Sequence, residues 1–351
     1  MFITGLGTAS PTQRYTQNEC WQVFRESSLS RQLKPRSRAI IKKVLTGDNG
    51  ITTRHLALDN LDQAFELTPD ALHARFARHA PALAAQAAQA ALADAGTQPE
   101  QIDALLISTC TGYLCPGLTS YVSERLGLRP DVLGLDLVGQ GCAAALPNLR
   151  AGEALLAAGR VRHVLSICVE VCSAALYFDD DPGVLISACL FGDGAGAAVL
   201  ALAPNGHRRV EWKTSAAFLN PQSRGALRFE LKAGMLRNVL LQQVPALAAQ
   251  SAGAVLDEVL AKAGLSRSQV KGWVLHPGGR DVLAALRQQL ALTREDVHWS
   301  EAVLQEYGNV SSASVFFVLQ TARDDSTPGG YWWMSSFGAG FSCHGALLKV
   351  E

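Results

Sequence analysis

The 351 residues carry 31 Lys plus Arg against 31 Asp plus Glu, so the formal net charge is zero, and 48% of them are hydrophobic while 18% are charged. Such a chain can bury a substantial core as one large domain or two ordinary ones, and its neutrality argues against nucleic acid or an anionic membrane surface as partner. No apolar run approaches the roughly 20 residues of a membrane span, and the start "MFITGLGTAS" has neither a basic n-region nor an apolar h-region, so a cytoplasmic protein is expected.

Residues 20 to 70 fit no repeat and read as an insertion or a flanking cap. Inside them "RQLKPRSRAIIKK" carries six basic residues and no acid. If it is helical beyond Pro35, Arg38 and Lys42 share a face. That face is either solvated surface or a site for the phosphates of a nucleotide-like ligand. The Ala-rich stretch from 69 to 96 reads as a helix stopped by Gly96, "TQPEQ" as a turn, and "IDALLIST" as a buried strand. The segment "LADAGTQPEQIDALLIS" from 92 realigns without a gap on "LAKAGLSRSQVKGWVLH" from 260, at an offset of 168 residues. The same offset places Cys142 of "GQGCAAAL" inside "YGNVSSAS", so two glycine-containing turns occupy equivalent places. A second echo joins "FGDGAGAAVL" from 191 to "FGAGFSCHGALL" from 337. A unit met twice at this period means two domain-sized halves. Strands alternating with helices make it α/β, with sheets covered by helices. The halves are placed at 1–204 and 205–351, joined through "LAPNGHRR".

The eight cysteines lie mostly in apolar runs and read as reduced, buried thiols. "CVEVC" lacks the matching second pair of a zinc site, and no metal is expected. Taken singly, Cys142 reads as core packing, His276 of "VLHPGGRDVL" as a structural histidine, Asn309 as a helix N-cap and Phe191 as core filling. Two facts reverse this: Cys142 and Asn309 sit on symmetry-related turns, and ligand sites favour interfaces between halves. Together the residues supply a nucleophile, a proton carrier and an amide donor for an oxyanion. The start of a helix after Cys142 favours a thiolate there, although Pro147 lets the regular helix begin later than Ala143.

The set "GQGCAAA", "LFGDGAGAAVL", "HPGGRDVL", "YGNVSSAS" and "SSFGAGFSCHGALL", with "STCTGYLCPGLTSYVSERLGLRP", resembles the type III polyketide synthases, chalcone and stilbene synthase-like enzymes of the thiolase superfamily, from about Ile51 to the end. The resemblance implies a thiolase-like α/β fold, two duplicated halves in an α-β-α-β-α sandwich. It implies that Cys142 carries the starter acyl group as a thioester, that His276 and Asn309 stabilise the enolate formed when the malonyl thioester loses CO₂, and that Phe191 gates the cavity. Cys110, Thr111 and Ser311 would line that cavity, Cys115 would lie near a homodimer interface, and Arg38 with Lys42 would meet coenzyme A phosphates. Acyl-CoA and malonyl-CoA are the implied substrates, with no cofactor. Where many members have proline, Ala339 keeps a backbone N–H. This resembles ketoacyl-ACP synthase III, a single-condensation enzyme fed by an acyl carrier protein, which is the nearest alternative. A papain-like cysteine hydrolase and a catalytically silent binding paralogue are the more distant ones.

Overall fold

The computed structural model describes residues 1–205, 209–325 and 329–351. Its strands are β1 (Phe2–Ala9), β2 (Arg14–Thr16), β3 (Thr53–His55), β4 (Ala104–Ser108), β5 (Leu133–Leu137), β6 (His163–Glu170), β7 (Gly194–Ala201), β8 (Val210–Leu219), β9 (Leu227–Lys232), β10 (Met235–Leu240), β11 (Val270–Leu275), β12 (Gly330–Gly338) and β13 (Ser342–Val350). The helices are α1 (Gln17–Glu26), α2 (Ser28–Gln32), α3 (Pro35–Thr46), α4 (Pro69–Ala95), α5 (Leu118–Leu126), α6 (Ala145–Ala157), α7 (Pro182–Leu190), α8 (Val244–Ala263), α9 (Arg280–Gln289), α10 (His298–Tyr307) and α11 (Ser314–Asp324).

The sequence repeat is a structural repeat. Helices α4 and α8 both end at a left-handed glycine, Gly96 (φ 64°) and Gly264 (φ 66°), a conformation glycine adopts without a Cβ penalty. Each is followed by a short 3₁₀ turn in which a glutamine side chain accepts from the backbone three residues back. Gln98 N–H donates to Gln101 Oε1 at 2.8 Å and Ser266 N–H to Gln269 Oε1 at 2.8 Å. Then come β4 and β11. At the cysteine turn the alignment slips. The turn Gly141–Ala143 matches Ser311–Ala313, each opening on a left-handed residue (Gly141 φ 55°, Ser311 φ 48°). The offset has therefore grown to 170, and Ser312, not Val310, stands opposite Cys142. The second echo also needs correction. "FGAG" is the hairpin turn between β12 and β13, whereas Phe191 ends helix α7. What repeats there is the strand that follows.

Nine strands form one sheet in the order β11-β12-β13-β8-β1-β7-β6-β4-β5. The first half contributes β1, β4, β5, β6 and β7; the second contributes β8, β11, β12 and β13. Among the described residues β1 and β8 are in register at Phe2–Glu211 and Ile3–Val210, with the Trp212 N–H donating to the Met1 carbonyl at 2.9 Å beside them, while β1 pairs with β7 along its whole length. The sheet folds over at this narrow join. Helix α4 covers the first-half strands and α8 the second-half strands, while α6 and α11 contact strands of both halves and lie between them. Each layer has its own apolar core: Leu105, Ile107 and Val169 beneath α4, Phe316, Met334 and Leu146 in the middle, and Leu256, Leu275 and Trp333 beneath α8. This is the expected α-β-α-β-α arrangement. The proposed join spans the gap from β7 to β8, and its Gly206, His207 and Arg208 lie outside the described residues.

Helices α1 to α3 form the expected cap. Phe24, Ile41 and Leu45 pack on Leu185 and Cys189 of α7. Helix α3 begins at Pro35 and carries Arg38 and Lys42 one turn apart, as the sequence indicates. Among the described residues no helix is long and apolar enough to cross a membrane.

Candidate active site

The two inner helices bring their amino-terminal turns together. Cys142 Sγ lies 3.3 Å from Ser311 Oγ. The Ser311 N–H donates to Asn309 Oδ1 at 2.9 Å. A backbone N–H can only donate, so the amide oxygen must face it and the NH₂ must point away. Asn309 Nδ2 donates to the carbonyl of Gly278 at 3.2 Å, and the Gly278 N–H in turn donates to the His276 carbonyl at 2.9 Å. The three residues singled out by the sequence are thus coupled through Ser311 and the "HPGG" turn.

One cavity is lined by Cys142, Phe191, Cys110, Thr111, Ser311 and Ala339; of these, Cys110, Thr111 and Ser311 are the three the resemblance places on its wall. His276 and Asn309 do not line it; they are buried just behind, 1% and 3% exposed. Arg38 and Lys42 do not line it either. They stand on α3, half-buried and exposed respectively, with no carboxylate partner among the described residues. Cys115 is exposed. The β12–β13 turn presses on the cysteine turn: a Cβ built on Gly141 would lie 3.1 Å from Ala339 N, and Ser336 Oγ donates to the Ala143 carbonyl at 3.1 Å. The N–H of Ala339 has no acceptor among the described residues. Regular helix begins at Ala145, two residues later than Ala143.

The expected thiolate is not what the geometry produces. Cys142 is only 8% exposed, and burial pushes its thiol up to about 12. Desolvation outweighs the helix terminus because it disfavours whichever form is charged. The same burial pushes His276 down to about 3. Among the described residues neither of its ring nitrogens has a partner, and the ring stands edge-on to Phe337 at 5.0 Å. At neutral pH the site holds a thiol and a neutral imidazole.

This has a consequence for stability. The unfolded chain protonates its imidazole near pH 6.5. Folded His276 refuses that proton until about pH 3, so its contribution is present above pH 6.5 and is lost as pH falls. Between pH 7 and 4.5 the loss is about 2 to 3 kcal/mol. His276→Gln removes this share, and its urea midpoint should fall less over that interval than the wild-type midpoint. Parallel decline of the two midpoints would contradict it.

Sequence reasoning missed two residues that shape the cavity. Glu170 is fully buried. It accepts from Cys110 N–H (3.0 Å), Thr111 Oγ1 (2.9 Å) and Ser312 Oγ (2.5 Å), with Ser311 Oγ at 3.3 Å. It ties Cys110 and Thr111 of the cavity lining to the Ser311–Ala313 turn. The signal was present, since Glu170 is the one acid in the apolar run "HVLSICVEVCSAAL", and a buried carboxylate needs such partners. Arg54 carried no signal. Its guanidinium, from the cap, donates to the carbonyls of Ala188 and Phe191 at 3.0 Å each and to Gln17 Oε1 at 3.0 Å. It holds the end of α7 and so the backbone of Phe191.

The family model described as "FAE1/Type III polyketide synthase-like protein" matches residues 9–217, and "Chalcone and stilbene synthases, C-terminal domain" matches 211–350. The chain is 31% identical over 353 residues to 1,3,6,8-tetrahydroxynaphthalene synthase of Streptomyces peucetius subsp. caesius, covering 99% of this chain and 92% of the relative. It is 30% identical over 359 residues to 3,5-dihydroxyphenylacetyl-CoA synthase of Streptomyces toyocaensis, covering 99% and 89%. Among solved structures it superimposes on PKS-I of the brown alga Ectocarpus siliculosus with TM-score 0.88 and 28% identity, over 99% of this chain and 98% of that one.

Proposed function

The chain belongs to the type III polyketide synthase family, whose members are acyltransferases, and on that premise we propose that it loads an acyl-CoA starter on Cys142 and extends it with malonyl-CoA. The family models and the relatives named above disfavour the ketoacyl-ACP synthase III alternative, and the α-β-α-β-α fold removes the papain-like one. The observation that carries the reading is the coupling of Cys142 to Asn309 and the His276 turn through Ser311.

In this reading the Cys142 sulfur attacks the acyl thioester carbonyl while its proton passes to His276, and coenzyme A leaves as the thiol. A neutral thiol and a neutral base suit a proton that moves only when substrate arrives. Malonyl-CoA then loses CO₂. The electron pair of the broken C–C bond becomes an enolate, and its oxygen is met by a His276 N–H and the Asn309 amide. Neutral imidazole is the form that donates without being consumed as an acid. The enolate carbon attacks the Cys142 thioester. The backbone N–H groups of Cys142 and Ala339 receive the developing oxyanion, and the sulfur leaves. Decarboxylation itself supplies the carbanion, so the scheme needs no metal or redox cofactor. Mass spectrometry of products from malonyl-CoA with a panel of acyl-CoA starters tests it. Absence of any condensed product across the panel would remove the reading.

Arg38 and Lys42 are read as contacts for coenzyme A phosphates. Support comes from their position: α3 packs on α7, the helix that ends at Phe191. Arg38→Ala combined with Lys42→Ala should raise KM for malonyl-CoA severalfold more than KM for a pantetheine thioester lacking the nucleotide, because uniform binding far from the chemistry is lost. Equal shifts on both substrates would make the segment ordinary solvated surface.

A homodimer is the second partner proposed. Strand β5 is the edge of the sheet, and Leu133 and Leu135 on it are 41% and 37% exposed, beside Val138 at 66%. An unpaired apolar edge is a template for strand pairing. Light scattering should give twice the single-chain mass, and Leu135→Glu should shift it to the single-chain value. Full activity at single-chain mass in the wild type would count against it.

A further inference from the structure

The hairpin β9–β10 forms one wall of the cavity that holds Cys142, through Leu227, Arg228, Phe229 and Asn238. Helix α7 and the segment ahead of it form another, through Tyr177, Val184 and Ala188. The hairpin is a two-stranded sheet of its own, outside the nine-stranded one, and two strands alone are marginally stable in water. Its tip is solvated: Leu231 is 76% exposed, and Ala233 and Gly234 are both left-handed, at φ 50° and 77°. Such a wall needs a fastening from outside the hairpin, and Arg237 provides one. It stands on β10 opposite Glu230 of β9 and is 9% exposed. Its Nη1 donates to Glu230 Oε1 at 2.7 Å, its Nε to Asp179 Oδ2 at 2.8 Å and its Nη2 to Asp181 Oδ2 at 3.1 Å. One planar fork of donors thus joins both strands to the segment ahead of α7. Three successive aspartates in that segment reach three elements. Asp179 takes Arg237. Asp180 Oδ1 accepts from the Lys34 N–H at 3.1 Å and from Ser37 Oγ at 2.6 Å, at the start of α3. Asp181 Oδ1 caps α7 by accepting from the Gly183 N–H at 2.8 Å, while its other oxygen takes Arg237. An exposed ion pair contributes little, but removing one partner of a buried one leaves charge uncompensated.

We propose that Arg237 is a positioning residue for chain growth: by fastening the β9–β10 wall to the segment ahead of α7, it fixes the space in which the chain on Cys142 lengthens, and so decides where extension ends. The proposal rests on the polyketide synthase reading above. Arg237 does not line the cavity. It acts through its neighbour Asn238 and through Phe229, which pairs with Asn238 in the hairpin register and adjoins Glu230. Loading and decarboxylation depend on Cys142, His276 and Asn309, none of which lies on the hairpin.

The test reads the wall and the products separately. By hydrogen exchange, Arg237→Met should speed amide exchange across residues 227 to 240 by at least about tenfold, with α4 and α8 unchanged. By product mass spectrometry with one fixed starter, the share of product outside the wild type's main chain length should rise at least about threefold, because a small misplacement far from the chemistry redirects the reaction. Starter-independent CO₂ release should stay within about twofold, which separates a shifted wall from a damaged site. Arg237→Lys keeps the charge but has a single ammonium where the fork serves three carboxylates, so it should fall between wild type and Arg237→Met on both readouts. Asp179→Asn weakens one link while Asp181 and Glu230 still hold the cation. It should move both readouts in the same direction by a smaller factor, and it serves should Arg237→Met fail to fold. Unchanged exchange over the hairpin in Arg237→Met and Asp179→Asn would overturn the fastening. Raised exchange with an unchanged product profile would overturn the positioning role. Raised exchange with no condensed product from any starter in the wild type would sink the polyketide synthase reading and leave the fastened wall standing.

Discussion

Replacing His276 or Asn309 by Ala should each slow decarboxylation of malonyl-CoA by about 10² to 10³, measured as CO₂ release without starter. The enolate oxygen gains charge in a site where Asn309 and His276 are 3% and 1% exposed, and water cannot replace a lost donor there. Two further variants separate chemistry from structure. Asn309→Asp keeps the oxygen that accepts the Ser311 N–H but turns the donor edge into an acceptor, so it should be as slow as Asn309→Ala while keeping the fold. His276→Gln keeps a neutral donor and should retain more rate than His276→Ala. The double variant should lose less than the product of the single losses, since both donors serve one oxygen. Near-normal CO₂ release from both alanine variants would take the two residues out of the mechanism.

Cys142→Ala should abolish the acyl-enzyme adduct and lower condensed product by about 10⁴ or more, because the sulfur that carries the chain is gone. Decarboxylation should survive in this variant, since its donors lie on the second half. Three cavity or near-cavity thiols make the test discriminating: Cys110, Cys142 and Cys172 all line the cavity, and burial raises all three. An adduct that persists in Cys142→Ala and maps to Cys110 would reassign the nucleophile. The protonation state has its own readout. A thiol near 12 should be alkylated by iodoacetamide ever faster as pH rises above neutrality. A rate already at its plateau at pH 6 would mean a thiolate. Prior incubation with a loadable acyl-CoA should block labelling of Cys142.

Much of this site is marked by local chemistry. Cys142, Asn309 and the glycines beside them are legible because a turn that opens a helix after a left-handed residue needs small residues at fixed places. His276 is legible because it ends a strand before Gly278 and Gly279. The cap is legible as a unit that breaks the repeat. The duplication is legible because α4 and α8 end in the same way, at a glycine followed by a turn closed by glutamine. These are short-range requirements, and a sequence states them directly.

What the tertiary structure alone decided is which groups meet and in what charge state. The offset of 170 rather than 168 follows from the matched turns of α6 and α11, and no local pattern fixes it. Glu170 receives hydroxyls from Ser311 and Ser312, which lie more than 140 residues away in the chain. Cys142 meets Ser311 from a separation of 169. Arg54 reaches the carbonyl of Phe191 across 137. The helix terminus read from the sequence points to a thiolate, and the fold produces a thiol, because the penalty for burying a charge depends on every layer packed around it. That packing is assembled from both halves and the cap at once.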